Sequence, residues 1–141
     1  LGPVEPAMET VGGHHIRQFR ISLPRNSRLN ESKRRIYATV EAVSEQFRSA
    51  PDIIIDVDWM VDLKRCKELV GDRPTILCGN YDPVSVMLQG TPESIRERVN
   101  ACCDLFPEGR YISAAGCEVP RETPPENLMA VREALAARSS R

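Results

Sequence analysis

The sequence predicts an α/β fold in which parallel strands alternate with helices. Three apolar runs begin near Ile53, Thr75 and Arg110, and each is followed by a stretch with helical spacing. Continuous apolar runs are typical of strands that are covered on both faces, as in parallel sheets. The alternation of strand and helix along the chain favours crossover connections within one sheet. We therefore expect a small parallel sheet flanked by helices.

The composition indicates one domain and excludes several classes of partner. The chain has 141 residues, of which 19 are basic and 20 acidic. This balance gives no sign of nucleic acid or an anionic membrane as a partner, and no apolar run approaches the roughly 18 residues of a spanning helix. Five cysteines without a Cys-x-x-Cys motif favour a reducing, cytoplasmic compartment over a disulfide scaffold. A first residue of Leu rather than Met favours a fragment or a processed product.

Residues 1–29 lack a regular pattern, and we expect an irregular segment there, separate from residues 30–141. This segment holds the only two histidines of the chain, His14 and His15. A solvated loop is the simpler interpretation of the pair, and a metal ligand is the alternative.

The first helix is predicted from Asn30 to Ser49. Asn30 is a favourable N-cap residue, and Pro51 stops the helix. Apolar residues recur along one face of it, namely Ile36, Val40, Val43 and Phe47.

The first strand is predicted from Ile53 to Asp58, covered on both faces. Asp56 and Asp58 lie two residues apart, so their side chains point to the same side of the strand. At the carboxyl end of a strand, one of them is a candidate functional acid. The alternative is that Asp58 turns the chain and caps the next helix.

Two further units come after the first strand. A short helix is predicted from Asp62 to Val70, and a buried strand from Thr75 to Cys78 that runs into a turn-rich loop, 79–83. Thr91-Pro92 then opens the next helix. Its predicted buried face consists of Ile95, Val99, Cys102 and Phe106.

The last strand, Arg110 to Ala115, leads through a glycine to Cys117. This thiol stands at the carboxyl end of a strand, and it is either a small buried hydrophobe or a ligand. Thr123 and Glu126 have the spacing of a capping box, which predicts a helix from Pro124 to about Ala137. The apolar stripe predicted for this helix is Leu128, Val131 and Leu135.

Five linked motifs in the second half carry a family resemblance. They are Ile55-Asp-Val-Asp-Trp-Met-Val-Asp-Leu63, Leu77-Cys-Gly-Asn-Tyr-Asp-Pro-Val84, Gly90-Thr-Pro-Glu93, Ala115-Gly-Cys-Glu-Val-Pro120 and Thr123-Pro-Pro-Glu-Asn127. Together they resemble the uroporphyrinogen decarboxylase superfamily, and within it the cobalamin-dependent methyltransferases that act on coenzyme M. The resemblance implies a TIM barrel of eight (β/α) units, of which residues 30–141 form the last three.

The pair Gly116-Cys117 favours the methyltransferase branch, because true decarboxylases usually place a Gly-His-Gly type sequence there. In the methyltransferases this Cys is a zinc ligand, so the resemblance implies Cys117 as a metal ligand. The branch draws two more ligands from an upstream His-x-Cys motif. Here the nearest match is His15-Ile16-Arg17, which offers His15 but has Arg in place of the Cys. The resemblance further implies that Asp58 and Asn80 line the pocket as catalytic residues.

The same resemblance implies cofactors and partners. These are zinc, and methylcobalamin carried by a partner corrinoid protein, with a small thiol as the methyl acceptor. One alternative is a decarboxylase that acts on a tetrapyrrole, and another is a non-catalytic fragment. Three strands do not close a barrel, so exposed strand edges predict a homo-oligomer.

Overall fold

The computed structural model of the chain describes residues 3–4, 10–11, 14–15, 18–19, 29–49 and 53–139, with side chains described from Asn30 onward. Two compact units are present, Leu1–Arg34 and Arg35–Arg141. The division between them falls within the first helix. The boundary that the sequence predicts, between residues 29 and 30, stays a prediction.

The first unit contains four strands of two residues each, arranged as two antiparallel pairs. Strand β1 (Pro3–Val4) pairs with β4 (Gln18–Phe19), and β2 (Thr10–Val11) pairs with β3 (His14–His15). The candidate ligand His15 belongs to β3, and its side chain lies outside the described part of the structure.

The second unit is built on a three-stranded parallel sheet. Its strands are β5 (Ile54–Asp56), β6 (Ile76–Tyr81) and β7 (Tyr111–Ala115), in the order β5-β6-β7. Helices alternate with these strands along the chain. The predicted α/β class with parallel strands is therefore confirmed.

Side-chain caps begin two of the helices, and the one at Thr91 is predicted from the sequence. In chain order they are α1 (Leu29–Gln46), α2 (Leu63–Val70), a π-helical segment (Pro83–Leu88), α3 (Pro92–Asp104) and α4 (Pro125–Ser139). The Asp62 side chain accepts the first free N–H groups of α2, and Thr91 forms a reciprocal capping box with Ser94 at the start of α3. These bonds satisfy donors that a helix start leaves without partners.

One hydrophobic core lies between the helices and one face of the sheet. The apolar residues of α2 and the face predicted for α3 are buried in it, namely Leu63, Cys66, Val70, Ile95, Val99, Cys102 and Phe106. Among the described residues no helix has the length and apolar character needed to cross a membrane.

The prediction that β5 is covered on both faces is wrong. Val57 and Leu77 face the core, whereas Ile54 is 55% exposed and Ile112 on β7 is 42% exposed. Side chains alternate between the faces of a strand, so these exposed residues share the opposite face. We call this surface the open face; it consists of Ile54, Asp56, Ile76, Cys78 and Ile112.

Strand β6 extends beyond the predicted end at Cys78. The sequence predicts a loop from Gly79 onward, but the strand continues to Tyr81, which is in register with Ala115 of β7. Strand β7 is long enough to hold these residues in the ladder. Residues 79–81, which the sequence predicts as part of a loop, therefore belong to the strand.

The stripe predicted for α4 is wrong by about one residue. The buried residues of the helix are Asn127, Ala130 and Ala134, whereas Leu128 is 48% exposed. The other two predicted residues, Val131 and Leu135, are only partly buried at the margin of the core. Alanine side chains let α4 approach α3 closely, and this close packing takes precedence over burial of the larger side chains.

The capping box predicted at the start of α4 does not form. The Thr123 hydroxyl is buried and has no hydrogen-bond partner in the described part of the chain, so it does not cap with Glu126. The carbonyl of Pro124 instead accepts hydrogen bonds from the backbone N–H groups of Asn127 and Leu128, at 3.0 and 3.4 Å.

Glu45 links α1 to the segment just after α2. Its carboxylate binds Arg48 at 2.7 Å and Arg73 at 2.5 Å. Hydrogen bonds from Arg48 and then from Arg73 lower the pKa of Glu45 to about 2, from an ordinary 4.5. Because the folded-state pKa is depressed, the stabilising contribution is fully present above the ordinary pKa and is lost as the pH falls towards 2.

We therefore expect the free energy of unfolding to fall less steeply with decreasing pH in Glu45→Gln than in the parent chain, between about pH 4.5 and pH 2. Urea unfolding at several pH values would measure this change. Glu41→Gln is the control, because Glu41 is an exposed acid on the same helix. If the free energy of unfolding depended on pH in the same way in both variants, the assignment of this acid sensitivity to Glu45 would be wrong.

Candidate functional site

The loops after β5 and β7 meet at the carboxyl edge of the sheet. A Cβ atom added to Gly116 would lie 2.3 Å from the backbone N and 2.8 Å from the Cα of Trp59. Only glycine permits this approach, so the segment that carries Cys117 packs directly against the segment that carries Asp58. The structure thus brings two predicted site residues to one edge, although 59 positions separate Asp58 from Cys117 in the sequence.

Asp58 shapes the loop after β5. Its Oδ1 atom accepts a hydrogen bond from the Met60 backbone N–H at 2.7 Å. This contact matches the part of the alternative in which Asp58 turns the chain. The other part is wrong, because the cap of α2 is Asp62 and not Asp58. A catalytic role for its carboxylate stays a prediction.

Asn80 is 2% exposed, and its amide group connects three elements. The Nδ2 atom donates to the carbonyl oxygens of Val61 at 2.8 Å and Asp58 at 3.4 Å, while Oδ1 accepts from Arg98 of α3 at 3.2 Å. Asn80 therefore acts on the site by holding the backbone of the Asp58 loop, and its catalytic role stays a prediction. Sequence reasoning did not identify Arg98, because a charged residue beside a buried stripe resembles any solvated residue.

Two tyrosines fix the end of the sheet below these loops. The Tyr81 hydroxyl is hydrogen-bonded to the Ser113 hydroxyl, and the Tyr111 hydroxyl donates to the carbonyl of Gly79. Burial is the main cause that raises the pKa of both tyrosines, so both stay protonated. The alternation of Tyr111, Ser113 and Ala115 is the only sequence signal for this arrangement.

The cysteines differ in access to solvent. Cys66 and Cys102 are buried, and burial raises the pKa of Cys66 to about 11. Cys78 and Cys103 are half-buried, and Cys117 is exposed. Because thiolates are the form that binds metals, the two buried thiols are core residues and Cys117 is the accessible thiol at the carboxyl edge.

The described residues do not complete a metal site. Among them, no group of three or more His, Cys, Asp or Glu side chains is placed to hold a metal ion. A structural zinc site needs four ligands, and a catalytic one usually has three from the protein. Cys117 is therefore at most one ligand of a set that draws on other residues.

Comparison with known proteins decides the family. The family model described as uroporphyrinogen decarboxylase (URO-D) matches residues 35–138. The chain belongs to the uroporphyrinogen decarboxylase family. The motifs quoted from the sequence predict this family, and the prediction is confirmed.

Relatives of this uroporphyrinogen decarboxylase family member carry two different names. A uroporphyrinogen decarboxylase of Psychromonas ingrahamii is 39% identical over 74 residues, which cover 52% of this chain and 20% of that protein. The methylcobamide:CoM methyltransferase MtbA of Methanosarcina acetivorans is 34% identical over 79 residues, which cover 56% of this chain and 22% of that protein. The chain thus spans about a fifth of the length of the curated relatives it matches.

A solved structure supports the fold. A methyltransferase from Methanosarcina mazei superimposes with a TM-score of 0.53 at 17% sequence identity, over 77% of this chain and 37% of that chain. At this identity the likeness concerns the fold alone. It agrees with part of a TIM barrel, which the resemblance predicts.

Proposed function

We propose that this chain supplies the last three units of a (β/α)8 barrel that transfers a methyl group to a small thiol. The observation that carries the proposal is the exposed Cys117 thiol, held against the Asp58 loop by the close approach of Gly116. Active sites of such barrels lie at the carboxyl ends of the strands. The similarity to a relative named methylcobamide:CoM methyltransferase supports the choice of reaction.

The proposed roles divide between the two loops. Cys117 contributes one zinc ligand, and the remaining ligands come from outside the described side chains, where His15 is a candidate. Asp58 is the proposed catalytic residue, and Asn80, which the resemblance implies as catalytic, is proposed to position Asp58 by holding the backbone of its loop. The proposed methyl donor is methylcobalamin on a corrinoid partner protein. The proposed compartment is the cytoplasm.

The second candidate function is decarboxylation of a tetrapyrrole. The 39% identity to a uroporphyrinogen decarboxylase favours it. The accessible thiol at position 117 favours methyl transfer instead. Binding of a tetrapyrrole by the zinc-free chain would support the decarboxylase.

Zinc content tests the methyltransferase proposal. We expect about one zinc per freshly purified chain, lost in Cys117→Ser and reduced in His15→Ala, because a thiolate and an imidazole are preferred zinc ligands. Elemental analysis beside protein concentration gives the ratio. Cys103→Ser is the matched control, since Cys103 is half-buried on α3, and it should keep the metal. Absence of zinc from the parent chain, or equal zinc in Cys117→Ser, would overturn the proposal.

The strand edges suggest how copies of the chain associate. Within the described sheet, β5 and β7 pair only with β6, so each has one unpaired edge. Unpaired edges promote strand pairing between chains. We propose a homo-oligomer, which solution mass by light scattering tests; a monomer at micromolar concentration contradicts it.

A further inference from the structure

Side chains from outside the Asp58 loop hold its backbone in place between β5 and α2. Asn80, at the end of β6, donates to the carbonyl oxygens of Val61 at 2.8 Å and Asp58 at 3.4 Å. At the far end of the loop, the backbone N–H of Asp62 donates to the Tyr37 hydroxyl of α1 at 2.9 Å. The course of the loop therefore depends on groups that other elements supply.

The Asn80 amide can hold the loop in only one of its two orientations. Carbonyl oxygens accept hydrogen bonds, so the NH2 group of the amide has to face the loop. On the other side Arg98 donates from Nη2 to Oδ1 of Asn80 at 3.2 Å, and a guanidinium has no acceptor. Arg98 thus favours the same orientation, and it gives a donor to an oxygen on a side chain that is 2% exposed. A buried acceptor without a donor is costly.

Arg98 differs from the other arginine of α3 in its choice of partner. Arg96 forms ion pairs with Glu133 at 2.9 Å and Glu93 at 3.2 Å. Arg98 forms no ion pair with an acid of the described chain, and its guanidinium is directed to the neutral Asn80 amide instead. Hydrogen bonds from charged donors are stronger than those between neutral groups. The charge of Arg98 therefore acts on the amide that holds the loop.

A change at Arg98 is transmitted to both loops of the candidate site. Trp59, in the Asp58 loop, lies directly against the backbone of Gly116, where an added Cβ atom would be 2.3 Å from the Trp59 nitrogen. Cys117 follows this glycine in the sequence. Since the two loops are in backbone contact, a displaced Asp58 loop also displaces the segment that carries the thiol.

We propose that Arg98 is a positioning residue of the candidate site. Its guanidinium orients the Asn80 amide, and this amide fixes the backbone that presents Asp58. The contribution of Arg98 is a hydrogen-bond donor rather than the bulk of its side chain. The inference rests on the proposed function only in the assignment of Asp58 as a catalytic residue.

Two substitutions of Arg98 separate donation from packing. Arg98→Met and Arg98→Lys both keep an unbranched stem, but only lysine keeps a charged donor. Amide hydrogen exchange, followed by NMR on the full chain without substrate or added metal, measures how firmly the loop is held. The reporting amides are those of Met60 and Val61, which donate to Asp58 within the loop.

We expect exchange at both loop amides to become about tenfold faster in Arg98→Met, because a hydrogen bond from a charged donor is lost. Arg98→Lys should restore slow exchange. The Leu77 amide, which donates to the Arg110 carbonyl at 3.2 Å within the sheet, is the reference for opening of the whole unit, and its exchange should change less. The matched control is Arg96→Met, which removes an arginine from the same helix and should leave the loop amides unchanged.

A combined variant tests whether Arg98 acts through Asn80. Asn80→Ala alone should also speed exchange in the loop, and adding Arg98→Met to it should cause no further change. The inference is overturned by parent-like exchange in Arg98→Met, by equally fast exchange in the methionine and lysine variants, or by equal acceleration at Leu77. A further rise in the combined variant would likewise refute it. Because the measurement needs neither zinc nor methyl transfer, it gives a result even if the chain is not a methyltransferase.

Discussion

Replacing Gly79 with alanine is expected to lower the free energy of unfolding by about 2 to 5 kcal/mol, through backbone strain and overpacking together. Gly79 has a φ of +120°, a backbone angle that residues with a side chain rarely adopt. A Cβ atom there would lie 2.4 Å from the carbonyl oxygen of Val57. The position of a Cβ atom is fixed by the backbone and the oxygen is itself a backbone atom, so rotation of a side chain does not relieve the clash.

Two other glycines allow the effect of backbone strain on stability to be measured without overpacking. Gly71 and Gly109 have φ values of +59° and +81°, and nothing lies within 4 Å of an added Cβ atom. Their alanine variants should therefore lose only the conformational term, about 1 to 2 kcal/mol. Urea unfolding of the three variants gives the comparison. A loss in Gly79→Ala no larger than in Gly109→Ala would contradict the close approach to Val57.

The same substitution should disturb the site. Gly79 precedes Asn80, whose amide holds the backbone of the Asp58 loop. Trp59, in that loop, is the only tryptophan of the chain. A shift of Trp59 fluorescence in folded Gly79→Ala, absent from Gly71→Ala, is the expected sign that the loop has moved.

The order of elements could be predicted from the sequence because local signals agree with the tertiary structure. Thr91 is a cap that acts within one helical turn, and it forms the expected bonds with Ser94. The stripe from Ile95 to Phe106 is buried because its spacing matches one helix face. Such features depend on residues close in sequence.

Other features depend on residues far apart, and these were not predictable. Leu128 is more apolar than Ala130, yet Ala130 is the residue that faces the core. Small side chains are needed at this face because α4 packs closely against α3. Continuous apolar residues in β5 suggested burial on both faces, but only one face is covered within the described chain. The sequence alone does not indicate which elements pack against a strand.

The candidate site also combines features that could be predicted from nearby residues with features that depend on residues far apart in the sequence. The location of Cys117 at the carboxyl end of a strand could be inferred from an apolar run and a glycine. Its packing against Trp59 depends on Gly116, whose need for space becomes visible only when both loops are in place. The inward direction of the Asn80 amide likewise depends on carbonyl groups from another loop.

Asn127 should be the most sensitive polar residue of α4. It is 1% exposed, and its Nδ2 atom donates to the carbonyl oxygens of Met87 and Gly90, both at 2.9 Å. Asn127→Ala removes the donor from one buried and one partly buried carbonyl, so we expect a loss of about 2 to 4 kcal/mol in the free energy of unfolding. Unfolding in urea at pH 7 measures the loss.

Asn127→Asp should be more destabilising than the alanine variant at pH 7, because a carboxylate would face two carbonyl oxygens. This environment raises the folded-state pKa of the new acid above its unfolded value of about 3.9. The penalty is therefore present above the folded-state pKa and disappears as the pH falls below the unfolded one. The stability gap between the aspartate and alanine variants should narrow from pH 7 to pH 4.

The control for this change is Asn100→Asp on α3. Asn100 is half-buried, and its Oδ1 atom accepts a hydrogen bond from Arg138 at 3.2 Å. A carboxylate there keeps the acceptor and gains an opposite charge, so little or no stability should be lost. Equal losses for the two aspartate variants would mean that the Asn127 amide does not donate to the two carbonyls. A large loss confined to Asn127→Asp, relieved by acid, would identify this amide as the link between α4 and the segment after β6.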